Sequence, residues 1–181
     1  MIEVSEKTYP GVPSFIYGHS LGGGIVIDYL LRSNKLVKGA IVTSPWLRLA
    51  FEPSGLKRAM AGFMKKIFPG LTQPTGLDVS YISHDPNVIN EYNNDPLVHD
   101  KISINLFNGA MQSGEYSMRH GADLKVPLLL LHGSDDKITS HTASRDFALN
   151  SSLVEIKIWD GGYHELHNEP FKKEVFEYIL N

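Results

Sequence analysis

The 181-residue chain contains no cysteine. That excludes disulfides, cysteine-bound zinc and a cysteine nucleophile, and it suits a reducing compartment. No apolar run approaches the roughly 20 residues of a membrane-spanning helix. The opening MIEVSEKTYP has neither a basic start nor an apolar signal core, so the expectation is a soluble, cytoplasmic protein. Excess positive charge is lacking too: 17 Lys and Arg stand against 20 Asp and Glu, a net charge of -3, which gives nucleic acid no electrostatic hold. Walker-A, Rossmann, H-E-x-x-H and EF-hand patterns are absent, as are internal repeats. No cofactor and no metal site is indicated.

What is present suits one domain with a real core, since 42% of residues are hydrophobic and 20% charged. The stretch that organises the rest is PSFIYGHSLGGGIVIDYLL at residues 13–31. An apolar run at 14–17 reads as a buried parallel strand, and Leu21, Ile25, Val26, Tyr29 and Leu30 fall at helical spacing. Ser20 stands at the junction with Gly18 and Gly22 on either side, giving G-x-S-x-G, the spacing of a nucleophile on a sharp strand-to-helix turn. Such a turn strains the serine backbone, and side chains at the flanking positions are expected to collide with the neighbouring strand and helix. The plainer alternative is a serine that merely caps the helix.

Residues 1–9 read as the last turns of a helix ended by Pro10-Gly11. Residues 38–44 form a second strand, so that strand, helix and strand make a parallel βαβ unit. Alternation then lapses. Residues 55–68 place Leu56, Met60, Phe63, Met64 and Ile67 on one helical face and most of four basic residues on the other. A proline- and asparagine-rich passage follows, then a helix over about 101–118. Core signals return with a strand at 126–132, a helix over about 140–150, an edge strand at 154–159 and a closing helix begun at Glu169-Pro170. The expected organisation is a core of residues 1–45 and 121–181, with 46–120 as a helical cap across the carboxyl ends of the strands.

Ligands of an open α/β sheet bind beyond the carboxyl ends of its strands. Ser20, Asp136 and His164 each lie just past such an end. In the order Ser, Asp, His they supply a nucleophile, an acid that orients and stabilises an imidazolium, and a base that takes and returns the serine proton. Asp135 stands beside Asp136 as an alternative acid, and His167 beside His164 as an alternative base. His164 and His167 could also chelate a metal, but no further ligand cluster accompanies them. The remaining histidines read as structural or solvent-exposed.

GHSLGG at 18–23, HGSDD at 132–136, GGYH at 161–164 and NDPL at 94–97 together resemble the monoacylglycerol lipase and lysophospholipase group of the α/β-hydrolase superfamily. The resemblance runs from about residue 12 onward. It implies a partial α/β-hydrolase fold, a mainly parallel sheet of about four strands flanked by helices, with a helical cap inserted. It implies a serine esterase acting on a small-molecule, single-chain acyl ester, with Ser20 as nucleophile, Asp136 as acid, His164 as base and the Leu21 amide as one oxyanion donor. Met60, Phe63 and Met64 would line an acyl channel, and the cap would touch the membrane peripherally. The family pattern also places several strands and a His-Gly loop, source of the second oxyanion donor, before the nucleophile strand. Only nineteen residues precede Ser20 here, so the resemblance makes this a carboxyl-terminal portion with reduced activity alone. A non-catalytic remnant serving as an interaction module, and an acyltransferase or thioesterase using the same three residues, are the alternatives.

Overall fold

The computed structural model describes residues 2–33, 37–51 and 70–181. A short helix α1, Ile2–Thr8, leads to strand β1, Phe15–His19, and helix α2, Ser20–Arg32, starts at the very next residue. Strand β2, Gly39–Thr43, completes the expected βαβ unit. After the interruption come β5, Leu128–Gly133, helix α5, His141–Leu149, strand β6, Val154–Trp159, and helix α6, Lys172–Leu180. These four strands form one all-parallel sheet in the order β1-β2-β5-β6, with Tyr17 against Ile41, Ile41 against Leu129, and Leu129 against Glu155.

Alternation along the central strands builds three layers. Ala40, Val42, Leu128 and Leu130 join Val26, Ile27, Leu30 and Phe147 in a cluster that packs α2 and α5 on one face. Leu131, with Ile41 and Leu129 beside it, meets Leu166, Val175 and Phe171 under α6 on the other. Residues pointing to both faces are apolar, as a sheet covered on both sides requires.

Between β2 and β5 the chain forms β3, Thr72–Pro74, helix α3, Pro86–Asn94, β4, Lys101–Ser103, and helix α4, Ile104–His120; β3 and β4 pair antiparallel. Two expectations need correction here. The passage read as loop contains α3, which Asp85 caps by accepting the Asn87 N–H at 2.9 Å, with Pro86 at its first position. The helix expected from residue 101 begins three residues later, because Ser103 is its cap, accepting the Leu106 N–H at 3.1 Å, and Lys101 and Ile102 are extended. A third correction concerns β1, which is not buried. Among the described residues it pairs on one side only, and Phe15 and Tyr17 are 64% and 51% exposed. The amphipathic stretch at 55–68, with Met60, Phe63 and Met64, lies outside the described residues.

Candidate active site

The turn from β1 into α2 sets Ser20 at φ +53, a left-handed conformation that non-glycine residues rarely hold. Gly18 makes room for it: a Cβ there would stand 2.7 Å from the Gly22 carbonyl oxygen and 2.8 Å from a Val26 methyl. Gly22 does not need to be small for the reason expected, since a Cβ on it would meet nothing within 4 Å. The crowded partners are instead Gly23, against Val42 at 2.8 Å, and Gly24, against the Trp46 carbonyl at 2.8 Å.

Ser20 Oγ lies 2.9 Å from His164 Nε2, and His164 Nδ1 lies 2.7 Å from Asp136 Oδ2. An ionised carboxylate only accepts, so the imidazole carries its hydrogen on Nδ1 and leaves Nε2 to accept from the serine hydroxyl. Asp136 is almost wholly buried. Burial opposes its charge, but hydrogen bonds from His132 and His164 outweigh that cost and hold the carboxyl far below the usual carboxylate range. Its Oδ1 also accepts the Ile138 N–H at 2.7 Å and the Thr139 N–H at 3.0 Å, while the Thr139 hydroxyl reaches Oδ2 at 2.9 Å. Asp135 makes none of these contacts; its Oδ1 accepts from the Ser134 hydroxyl at 3.3 Å. His167 stands off the line, its ring centroid 4.8 Å from that of His19 and its buried Nδ1 unpartnered. Among the described residues no group of three His, Cys, Asp or Glu side chains could hold a metal ion.

Several residues that sequence reasoning passed over hold the histidine loop. Ser44, buried at the end of β2 with φ +46, donates its hydroxyl to the His164 carbonyl at 2.6 Å. The His164 and Glu165 N–H groups donate to the Tyr81 and Ile82 carbonyls at 3.2 and 2.8 Å. Glu169, fully buried, accepts the Tyr163 N–H at 2.7 Å, the His84 N–H at 3.1 Å and His84 Nδ1–H at 3.0 Å. All of these bonds but the one from Tyr163 to Glu169 join residues 80 or more positions apart, so only the composition of the short motifs could have flagged them. His19, in the wall beside His164 at a ring separation of 4.8 Å, bonds Thr43 Oγ1 at 2.9 Å through Nδ1. Burial pushes it down to about 3, the charges of His164 and His167 adding to the effect.

Leu21 follows Ser20 in the first turn of α2, where N–H groups have no acceptor within the helix and the helix dipole favours negative charge. The same residue opens a largely apolar cavity of about 260 Å³, continued by Gly24, Ile25, Trp46, Asn105, Leu106, Gly109, Ala110 and Ser113. A hydroxyl, an imidazole, a buried acid and a helix N-terminus thus lie together, with an apolar slot that begins at Leu21.

A family model described as serine aminopeptidase S33 matches residues 1–171. The chain belongs to that family of α/β-hydrolases. An abhydrolase domain-containing protein of Dictyostelium discoideum is 40% identical over 181 residues, covering 98% of this chain and 19% of that protein. The monoacylglycerol lipase of Mycolicibacterium smegmatis is 30% identical over 184 residues, covering 100% of this chain and 65% of its own. Among solved structures, the monoacylglycerol lipase of Paleococcus ferrophilus superposes with a TM-score of 0.90 at 32% identity, covering 99% of this chain and 71% of that one. The chain therefore spans about two thirds or less of the curated relatives named here. No helix among the described residues is long and apolar enough to cross a membrane.

Proposed function

We propose that this α/β-hydrolase chain carries the catalytic machinery of a serine hydrolase that cleaves single-chain acyl esters of the monoacylglycerol or lysophospholipid kind. The observation that carries the reading is His164, in hydrogen-bond reach of Ser20 on one nitrogen and of buried Asp136 on the other. His164 Nε2 takes the Ser20 proton as Oγ attacks the ester carbonyl, and Asp136 stays ionised and stabilises the imidazolium. The Leu21 N–H meets the oxyanion at the positive end of α2. His164 then returns the proton to the leaving alcohol, and a water activated by the same imidazole releases the acid.

Substrate class rests on the names of the lipase relatives and on the largely apolar slot beginning at Leu21. In this reading residues 1–45 and 121–181 are the hydrolase core and residues 46–120 form the cap. Peripheral contact of the cap with lipid belongs to the same proposal.

The test is fluorophosphonate labelling of the 181-residue chain and its Ser20→Ala variant, with p-nitrophenyl butyrate and a monoacylglycerol as substrates. Labelling confined to Ser20 and a preference for the monoacylglycerol support the reading. A folded chain that reacts at no serine overturns the catalytic claim, and equal use of esters of every shape overturns the substrate claim.

A further inference from the structure

Asp136, read above as the acid that serves His164, has a second imidazole on it, and the inference rests on that reading. His132, at the carboxyl end of β5 and fully buried, brings Nε2 to 3.0 Å from Asp136 Oδ2. That is the oxygen His164 Nδ1 meets at 2.7 Å. Because the carboxylate only accepts, His132 Nε2 must carry hydrogen, and Nδ1 of the neutral ring is left as an acceptor. Ser144 Oγ, also fully buried, stands 2.8 Å from that Nδ1 and donates to it. Asp136 therefore bears two serine–histidine arms. One runs through His164 to the half-buried Ser20; the other ends inside the protein, where no reactant arrives.

We propose that His132, held in its tautomer by Ser144, is a positioning residue for the reaction, anchoring Asp136 Oδ2 and sharing its charge so that His164 is held in register with Ser20. The rest of the carboxylate explains the need. Oδ1 is fixed by two backbone N–H groups, whereas every bond to Oδ2 comes from a side chain, and His164 itself must change charge during turnover. A donor on Oδ2 that takes no part in the proton transfer keeps the acid in place while the base gains and loses its proton. Among the lowering influences on Asp136, the His132 hydrogen bond ranks with that of His164.

The deciding variants are His132→Phe, which keeps the ring and removes the donor, His132→Gln, whose amide can return an N–H to Oδ2, and Ser144→Ala, which releases the tautomer. Folding is checked by circular dichroism. Two readouts follow for each: the saturation kinetics of fluorophosphonate labelling at Ser20, and the proton resonance of His164 Nδ1–H in selectively 15N-labelled protein. His132→Phe should lower the limiting labelling rate about tenfold at an unchanged half-saturating concentration, since a small displacement of a reacting group is costly and His132 touches no reagent. Its Nδ1–H signal should move downfield, because Oδ2 no longer divides its charge. His132→Gln should restore most of both, and Ser144→Ala should show the same changes in smaller measure. A folded His132→Phe with unchanged labelling kinetics and an unmoved or upfield signal overturns the proposal, as does a Gln variant no better than Phe. Should His132→Phe not fold, an unaltered Ser144→Ala overturns it. Failure of the native chain to label would overturn the hydrolase reading, and the resonance would still test the His132 arm separately.

Discussion

Ser44 and Ser20 share the left-handed backbone region, yet only Ser20 sits where its motif announces it. At Ser44 the conformation is held by what the residue touches: its N–H donates to the Leu131 carbonyl at 2.8 Å and its hydroxyl to His164, 120 positions away. His19 shows the same dependence on fold through its charge. Its pKa falls from 6.5 unfolded to about 3 folded, because burial beside two other imidazoles penalises the cation. Unfolding between those values takes up a proton, so acid favours the unfolded chain. The contribution is intact above about pH 6.5 and is lost progressively as pH falls toward 3. His167, lowered by burial, acts in the same direction. Asp136, depressed instead of raised, adds its own loss only as pH falls below its unfolded value of 3.8. Urea midpoints at about pH 7.5 and 5 should therefore drop for the native chain, and by clearly less for His19→Gln. An equal drop in both would mean that His19 is not the group responsible. The three residues of the candidate site were legible because each ends a strand with its own glycine or acidic punctuation. Ser44, Thr139, His132 and Glu169 were not, because their meaning lies in partners that only the fold brings near.

The histidine loop after β6 is held by an element from the interruption, and Glu169 is the fastening. Residues 79–84 present two carbonyls to it, while the buried Glu169 carboxylate gathers the Tyr163 and His84 N–H groups and the His84 ring, which stacks on Tyr163 at 3.6 Å. Replacing Glu169 by Ala leaves buried donors unpaired and should destabilise the chain by about 3 kcal/mol. Since Tyr163 adjoins His164, Ser20 labelling should slow as well. Glu169→Gln keeps one acceptor oxygen for Tyr163 and should lie between. Thermal melting and labelling rates check this, and an Ala variant as stable as the native chain would remove Glu169 from that role. At this scale the βαβ unit, β5, α5, β6 and α6 were readable from apolar periodicity and punctuation. α3 was hidden by asparagine-rich composition, although its Asp-Pro start is a cap signal. The β3–β4 pair was hidden because three-residue strands carry no period.

The sheet has two unlike edges. β6 exposes Glu155 and Lys157, charges that discourage another strand, and Lys157 lies 5.6 Å over the Trp159 ring. β1 exposes Phe15 and Tyr17 along an edge that no other strand among the described residues pairs, and Tyr9, Val12 and Ile25 add exposed apolar surface. This strand carries the strained turn at Ser20, and strain of that kind persists only where neighbours over-determine it. Among the described residues β2 and α2 supply that support from one side, and in the function proposed above the motif offers the oxyanion one donor, the Leu21 amide. Losing one such donor typically costs about a hundred- to a thousandfold in rate. Ester turnover by the 181-residue polypeptide should therefore be at least about a hundredfold below that of a fusion to the part of the Mycolicibacterium smegmatis relative that it does not match, with Ser20→Ala silent in both. The fusion should also shield Phe15, read as loss of fluorescent-dye binding to exposed apolar surface. Turnover by the short polypeptide equal to that of the fusion would show that β1 and α2 hold Ser20 in attacking geometry without a further strand, and that one amide suffices for the oxyanion.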